Sequence, residues 1–350
     1  VIGGEPEITR LALGDPAALD ALVGGRRGTW TTSGRGALWL ALRGLRERGV
    51  RHVHLPAYVC ESVVLPVRVL GMEHSFYPVD AGMRALPDPP RGAAVVLVHY
   101  FGWPNPATAE LRAEAEAGRC FLVEDATHAL LSDRGTPLTA PHAEIFSLRK
   151  LAPLPLGGWC SGEGDAEPAS PATEALVWRS LAGRLLRAQY LAAADAVPDP
   201  AVEETYLAAF AAVEEHLDRE PGAEALPPLV RRLAAGTDWE ETARRRRANW
   251  LHLRELLGGV AEPATPALKD GVVPLGFVVR LRERDRVRAE MARRRIFCPV
   301  HWPLPAAVDR ARFPEAAALA DTVLTLPLDP RYGEEEMETA AAALREVLGR

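Results

Sequence analysis

Lysine is nearly missing from this chain. Among its 41 lysine and arginine side chains, Lys150 and Lys269 are the two lysines. The formal net charge of −6 leaves no basic excess, which argues against a nucleic-acid partner. The short arginine clusters, Arg244 to Arg247 and Arg293 to Arg295, lie among acidic residues in helical segments and read as solvated helix faces. No apolar run approaches the ~18 residues that cross a bilayer. The start, Val1-Ile2-Gly3-Gly4-Glu5, lacks the charged end and apolar centre of a signal peptide. No membrane partner is therefore expected. Cysteine is scarce as well: Cys60, Cys120, Cys160 and Cys298 form no C-x-x-C pair and have no histidine at zinc spacing. Neither a disulfide framework nor a metal site is expected. The last three sit in or beside apolar strand-like runs, where a free thiol packs as a small hydrophobe, a pattern that fits the reducing cytoplasm.

What remains is the composition of a globular protein, 48% hydrophobic and 25% charged. Its 350 residues suffice for a large domain and a smaller one. Residues 1–30 read as an entry arm. From residue 31 onward, short apolar strands alternate with helices: strands at Val53 to Pro56, His74 to Val79, Ala93 to Tyr100, Cys120 to Val123 and Ala143 to Leu148. The most central are continuously apolar, the mark of a mostly parallel sheet covered on both faces. Residues 170–240 are helical and alanine-rich, with breaks near 198–200, 220–222 and 236–237. The last third returns to mixed structure, with strands over Val272 to Leu281, Phe297 to His301 and Val323 to Leu326 and a closing helix over Glu334 to Leu348. The expected architecture is a three-layer α/β domain over 1–240 followed by a smaller α+β domain over 241–350.

In so lysine-poor a chain, Lys150 draws notice. It follows the strand Ala143 to Leu148 and precedes the Pro/Gly-broken loop Pro153-Leu154-Pro155-Leu156-Gly157-Gly158. Arginine cannot form a Schiff base; a lysine in an apolar setting can. Three further features give it a context. Ser33-Gly34-Arg35-Gly36 opens a helix, where free N–H groups and the helix dipole favour an anion. Val123-Glu124-Asp125-Ala126-Thr127-His128 places a carboxylate just past a buried strand, in the crevice where such sheets bind ligands. Asp125 follows Gly34 by 91 residues and precedes Lys150 by 25. Pyridoxal 5'-phosphate needs an anion cradle, a carboxylate on its ring nitrogen and an amine for its aldehyde, and these three supply them in order.

These segments resemble the DegT/StrS sugar-nucleotide aminotransferases, fold-type-I pyridoxal-phosphate enzymes. Ser33-Gly34-Arg35-Gly36-Ala37-Leu38 is similar to that family's phosphate turn, and Val98-His99-Tyr100-Phe101-Gly102 to its V-H-x-x-G strand end. Glu124 to Ala129 resembles its E-D-A-A-[QH]-A motif, Phe146 to Gly158 its lysine segment, and Phe313 to Leu328 its C-terminal tail. The resemblance implies that Lys150 joins the cofactor and shuttles a proton while Asp125 holds the ring nitrogen. Gly34, Arg35, Gly36 and Ser147 would take the phosphate and His128 the ring oxygen. Thr127 would cover one ring face and Tyr58 or Cys60 the other. Arg149, His301 and Trp302 would meet the substrate. An amino-acid donor, a small keto acceptor and a homodimer are implied with them.

The chain departs from the family twice. The step from Ser147 to Lys150 is three residues rather than five, and no G-Y-N-x-R segment follows Gly164, helices standing in its place. Arg35 and Arg149 either offset the cofactor phosphate and a substrate acid or are paired with local carboxylates. Two other readings stay open: a pyridoxal-phosphate enzyme of elimination, decarboxylation or racemisation, and a non-catalytic binding module of the same fold.

Overall fold

A computed structural model of the chain describes residues 1–162, 164–193, 199–219 and 222–349. In order the elements are β1 (Ile2–Gly3), α1 (Pro16–Leu22), β2 (Gly28–Thr31), α2 (Gly34–Glu47), β3 (His52–Pro56), α3 (Glu61–Val69), β4 (Glu73–Tyr77) and β5 (Ala94–Val98). Then come α4 (Thr108–Glu116), β6 (Phe121–Asp125), β7 (Ala143–Ser147), β8 (Gly158–Ser161), α5 (Pro171–Ala192), α6 (Pro200–Arg219), α7 (Pro228–Ala235) and α8 (Trp239–Leu257). The remainder is β9 (Phe277–Arg280), α9 (Arg284–Arg293), β10 (Ile296–Phe297), α10 (Pro314–Thr322), β11 (Val323–Leu326) and α11 (Glu334–Leu348).

Among the described residues seven strands form the main sheet in the order β2-β8-β7-β6-β5-β3-β4. Strands β3 to β7 run parallel; β8 is antiparallel to both β7 and β2. Side-chain alternation divides the core. Val53, Leu55, Val96, Val123 and Ile145 pack on one face with α2 and α3. Val95, Leu97 and Leu122 point to the other face, towards α4 and α8, while Phe146 and Trp159 meet α1, α5 and α7. The sheet is thus the middle of three layers, because its central strands are apolar on both sides.

The C-terminal part is built on the antiparallel pair β9 and β11, with α8 and α11 packed together. The entry arm divides: β1 pairs in parallel with β10, and β2 is an edge strand of the main sheet. Two expected strands shorten. Val272 to Leu281 keeps its strand only from Phe277, because Pro274 lacks an N–H donor and the stretch before it packs on Gly102. Phe297 to His301 keeps a strand at its first residue alone, Pro299 having no ladder donor to give. Of the expected helix breaks, Pro198, Glu220 and Pro221 lie outside the described residues. The 244–247 arginine cluster is not all solvated: Arg244 and Arg245 pair with Glu241, whereas Arg246 is buried and Arg247 holds the Lys269 and Val272 carbonyls. Among the described residues no helix is long and apolar enough to cross a membrane.

Candidate active site

The C-terminal ends of the parallel strands converge with the start of α2. Register sets this: Val98 lies beside Asp125, Asp125 beside Ile145, and Ser147 opposite Gly158. Above these ends is a cavity of about 220 Å³. Its polar wall includes Gly34, Arg35, Asp125, Thr127, Ser147 and Lys150, and Val59, Val63, Val98 and Ile145 supply apolar surface.

Helix α2 begins where the sequence indicates. Ser33 is its N-cap, and its hydroxyl accepts the Gly36 N–H at 3.0 Å. That leaves Gly36 satisfied and outside the cavity wall, so it is not one of the groups facing an anion. The N–H groups of Gly34 and Arg35 precede any intrahelical acceptor. A Cβ on residue 34 would stand 3.0 Å from Thr127 Cγ2, so glycine lets the helix start approach the strand ends closely. Gly158 does the same from the other side: a Cβ there would fall 2.1 Å from the Ser33 carbonyl oxygen.

Asp125 closes β6, is buried, and accepts the Thr127 N–H at 3.0 Å. Its neighbour Glu124 points the opposite way. There it accepts two hydrogen bonds from Arg112, at 2.7 and 2.9 Å, and one from His99 at 3.1 Å, so it has a structural role. Burial pushes the Glu124 carboxyl up, but these partners outweigh burial and bring it down to about 2.

Lys150 leaves the turn after β7, and its amine lies 2.9 Å from His128 Nε2. The residue is exposed by accessible surface and lines the cavity. Burial lowers its pKa; Cys60 and Asp125 partly oppose this, and Arg149 and Arg35 add to it. The hydrogen bonds agree. Phe101, at a left-handed φ of 56°, donates its N–H to His128 Nδ1 at 3.3 Å. The imidazole proton is therefore on Nε2, which donates to the Lys150 amine, and an amine that accepts is unprotonated. Burial holds His128 well below the usual histidine value, so the ring is neutral.

Other positions fall differently. Cys60, capping α3, lines the cavity, and burial raises its thiol pKa. Tyr58 does not: its fully buried ring donates to the His301 carbonyl and packs 5.5 Å from Trp302. Trp302 stacks on Phe101 and His128, at centroid distances of 6.2 and 5.3 Å, and lines this cavity and a second of about 330 Å³. His301 lines the second one, bonded through Nδ1 to Thr325 at 2.9 Å, its pKa brought down to about 3 by burial and by Lys150. Lys150 and Arg149 line both. Arg35 and Arg149 turn out to be paired with carboxylates of α6. Glu214 takes Arg149 with one oxygen and Arg35 with the other, and Asp218 adds a second contact to Arg35 at 2.8 Å. Ser62 and the apolar wall carry no motif that would single them out. Glu214, 64 residues beyond Lys150, has only its place on a helix in the sequence.

No protein-family model matches the sequence. A UDP-N-acetyl-3-dehydro-alpha-D-glucosamine 3-aminotransferase of Acidithiobacillus ferrooxidans is 26% identical over 95% of this chain and 87% of its own. The erythromycin biosynthesis sensory transduction protein EryC1 of Saccharopolyspora erythraea is 28% identical over 81% of this chain and 73% of its own. Among solved structures, a DegT/DnrJ/EryC1/StrS aminotransferase from Brucella abortus superposes with a TM-score of 0.66 over 97% of this chain and 92% of that one, at 17% identity. This chain has the DegT/StrS aminotransferase fold. A Streptococcus pneumoniae protein assigned as a sugar aminotransferase, solved in a PLP form, gives a TM-score of 0.67 over 98% and 93%, at 16% identity. The resemblance in fold to these proteins extends over nearly the whole chain.

Proposed function

We propose that this protein is a pyridoxal-phosphate-dependent aminotransferase. It moves an amino group from an amino-acid donor, glutamate or glutamine, to a keto sugar, cyclitol or related keto metabolite. The observation that supports this best is the meeting of an unprotonated lysine amine, a buried carboxylate and an open helix N-terminus in one cavity. The residues fit the cofactor. A cradle that any Cβ at residue 34 would crowd suits a phosphate against backbone, and the amine is in the state that attacks an aldehyde. When bound, the group supplies an aldehyde that joins amines and a ring that withdraws electrons.

The chain's own residues divide the work. Gly34 and Arg35 would hold the phosphate through their N–H groups, with Ser147 beside them. Asp125 would keep a proton on the ring nitrogen, and His128, donating through Nε2, would orient the ring oxygen. Thr127 and Cys60 would flank the ring, and Lys150 Nζ would carry the substrate proton. We also place the domain boundary near residue 240, at the start of α8, and the protein in the cytoplasm as a homodimer.

Incubation with pyridoxal phosphate, borohydride treatment and peptide mapping test the assignment. The cofactor should be fixed to Lys150, and an added donor amino acid should shift the visible spectrum and protect against fixation. Fixation at Lys150 without any donor-dependent shift would favour elimination or racemisation. A Lys150→Ala protein with an unchanged spectrum would refute the site.

A further inference from the structure

One ring beside the amine's partner comes from the far end of the sequence. Trp302 follows β10 and packs on the core together with Val300 and Leu304. The peptide leading into it is fixed at two points. The His301 carbonyl accepts the Tyr58 hydroxyl, and His301 Nδ1 lies 2.9 Å from Thr325 Oγ1. The indole is thus delivered to the strand ends by anchors that do not involve its own ring. Four rings receive it there: Tyr58 at 5.5 Å between centroids, Tyr100 and Phe101 at 6.2 Å, and His128 at 5.3 Å. It lies near parallel to two of them, at 14° to Phe101 and 29° to His128.

His128 needs that support. Rotation of an imidazole about its Cβ–Cγ bond is soft, with broad minima. The bond that orients the ring from behind, Phe101 N–H to Nδ1, is long at 3.3 Å. A ring turned out of its present plane would take the Nε2 proton away from Lys150 Nζ, which lies 2.9 Å from it. The indole opposes that turn, because the imidazole would lose the face on which it stacks. The other groups around the amine are held independently of Trp302. Asp125 accepts the Thr127 N–H, Arg35 and Arg149 are paired with Glu214, Cys60 belongs to the start of α3, and His301 is bonded to Thr325.

We propose that Trp302 is a positioning residue: its indole fixes the plane in which His128 Nε2 donates to Lys150, so the amine is placed by the stretch after β10 as well as by β7. The proposal deepens the aminotransferase reading above and rests on it for its use, since an unprotonated amine is what an aldehyde requires. The size of the effect follows from the contact. Ring stacking favours the held imidazole over the turned one by roughly two- to tenfold. A hydrogen bond donated to the neutral amine disfavours its protonated form, so losing that bond raises the Lys150 pKa.

The test is a pH titration, by NMR, of the cofactor-free chain grown on lysine labelled at Cε. The sequence has two lysines, so Lys150 gives one signal and Lys269 is the internal control. Trp302→Leu keeps an apolar side chain but no flat face. It should raise the Lys150 pKa by about 0.3–1 unit and leave Lys269 unchanged. Trp302→Phe, which restores a ring, should titrate like wild type. His128→Leu should raise the Lys150 pKa as well, and adding Trp302→Leu to it should change nothing further, because the indole acts through the imidazole. A Trp302→Leu shift that persists in the His128→Leu background would overturn the proposal, since the indole would then only be keeping water out. So would an amine that titrates as in wild type in either single variant. Should Trp302→Leu not fold, the ring-nitrogen spectra of histidine-labelled wild type and Trp302→Phe decide. His128 should be the neutral Nε2–H tautomer in both, and an Nδ1–H ring in either would overturn the proposal. Failure of the aminotransferase reading shows separately, as absence of pyridoxal phosphate uptake while the lysine titrations keep this pattern.

Discussion

Adding one methyl group at residue 158 should damage both the fold and the site. A Cβ there would stand 2.1 Å from the Ser33 carbonyl oxygen and 2.7 Å from Thr31 Oγ1. An ordinary C···O contact is about 3.3 Å, so the two segments would have to part by roughly 1 Å. Neither moves freely. Residue 158 begins β8, hydrogen-bonded to β7 on one side and β2 on the other. Ser33 caps α2, and its carbonyl accepts both the Thr31 hydroxyl at 2.9 Å and the Ala37 N–H at 2.9 Å. Overpacking of this kind costs about 1–3 kcal/mol. At about 2 °C per kcal/mol for a chain of this size, Gly158→Ala should melt ~2–6 °C lower. The helix start is also the proposed anion cradle, so pyridoxal phosphate should bind about tenfold more weakly or worse. Gly44 is the control. It lies inside the same helix with nothing within 4 Å of its would-be Cβ. Gly44→Ala should therefore stabilise by ~0.5–1 kcal/mol and leave cofactor binding alone. Thermal melts and cofactor titrations of the two variants suffice. A Gly158→Ala protein that melts and binds like wild type would show that this contact does not hold the site together.

Two further outcomes follow from buried ionisable groups. Glu124 is held at about 2, below its ordinary 4.5, so its partners contribute stability that is present above pH 4.5 and lost as pH falls towards 2. Glu124→Gln should cost about 3–5 kcal/mol at neutral pH by leaving Arg112 and His99 without their carboxylate, and should flatten the acid limb of the melting curve; an unchanged acid limb would count against the network. Lys150 has its pKa lowered by burial, so between that lowered value and 10.5 the unfolded chain binds a proton that the folded one does not, and stability rises with pH. Lys150→Met should therefore melt higher than wild type at neutral pH, with the gap closing as pH approaches 10; a gap independent of pH would mean that the amine is not desolvated.

The parts of the site legible in the sequence are those whose position follows from local rules. Ser33 before an apolar helix marks an N-cap, and the run Cys120 to Val123 ending in Glu124-Asp125 marks a strand end, so cradle and carboxylate could be located by number. Lys150 stood out by rarity. What stayed hidden depends on contacts distant in the chain. Tyr58 and Cys60 are two residues apart, yet one is buried under Trp302 and the other faces the cavity, because the chain bends between the end of β3 at Pro56 and the cap of α3 at Cys60. Gly36 looks equivalent to Gly34 as a glycine, but the capping geometry of Ser33 consumes its N–H. The loss of strand before Phe277 has a visible cause in Pro274 and Gly276, which the apolar character of the run outweighed. Glu214 has no local mark at all, since an ion pair between elements leaves none in either.

This division has a physical consequence for how the protein works. Asp125 ends β6 and Lys150 leaves the turn just after its parallel neighbour β7, and the register of the two strands is set by main-chain hydrogen bonds and a core apolar on both faces. Other side chains that border the second cavity arrive from outside that sheet: Glu214 from α6, and His301 and Trp302 from the stretch after β10. A change in α6 can therefore alter the cavity wall, through the Glu214 pairs with Arg149 and Arg35, without moving the amine relative to the carboxylate. Trp302 is the exception, because its stacking on His128 couples it to the Lys150 amine through the Nε2 hydrogen bond. A substitution there acts on the cavity wall and amine placement together, whereas one at Glu214 acts on the wall through Arg149 and Arg35.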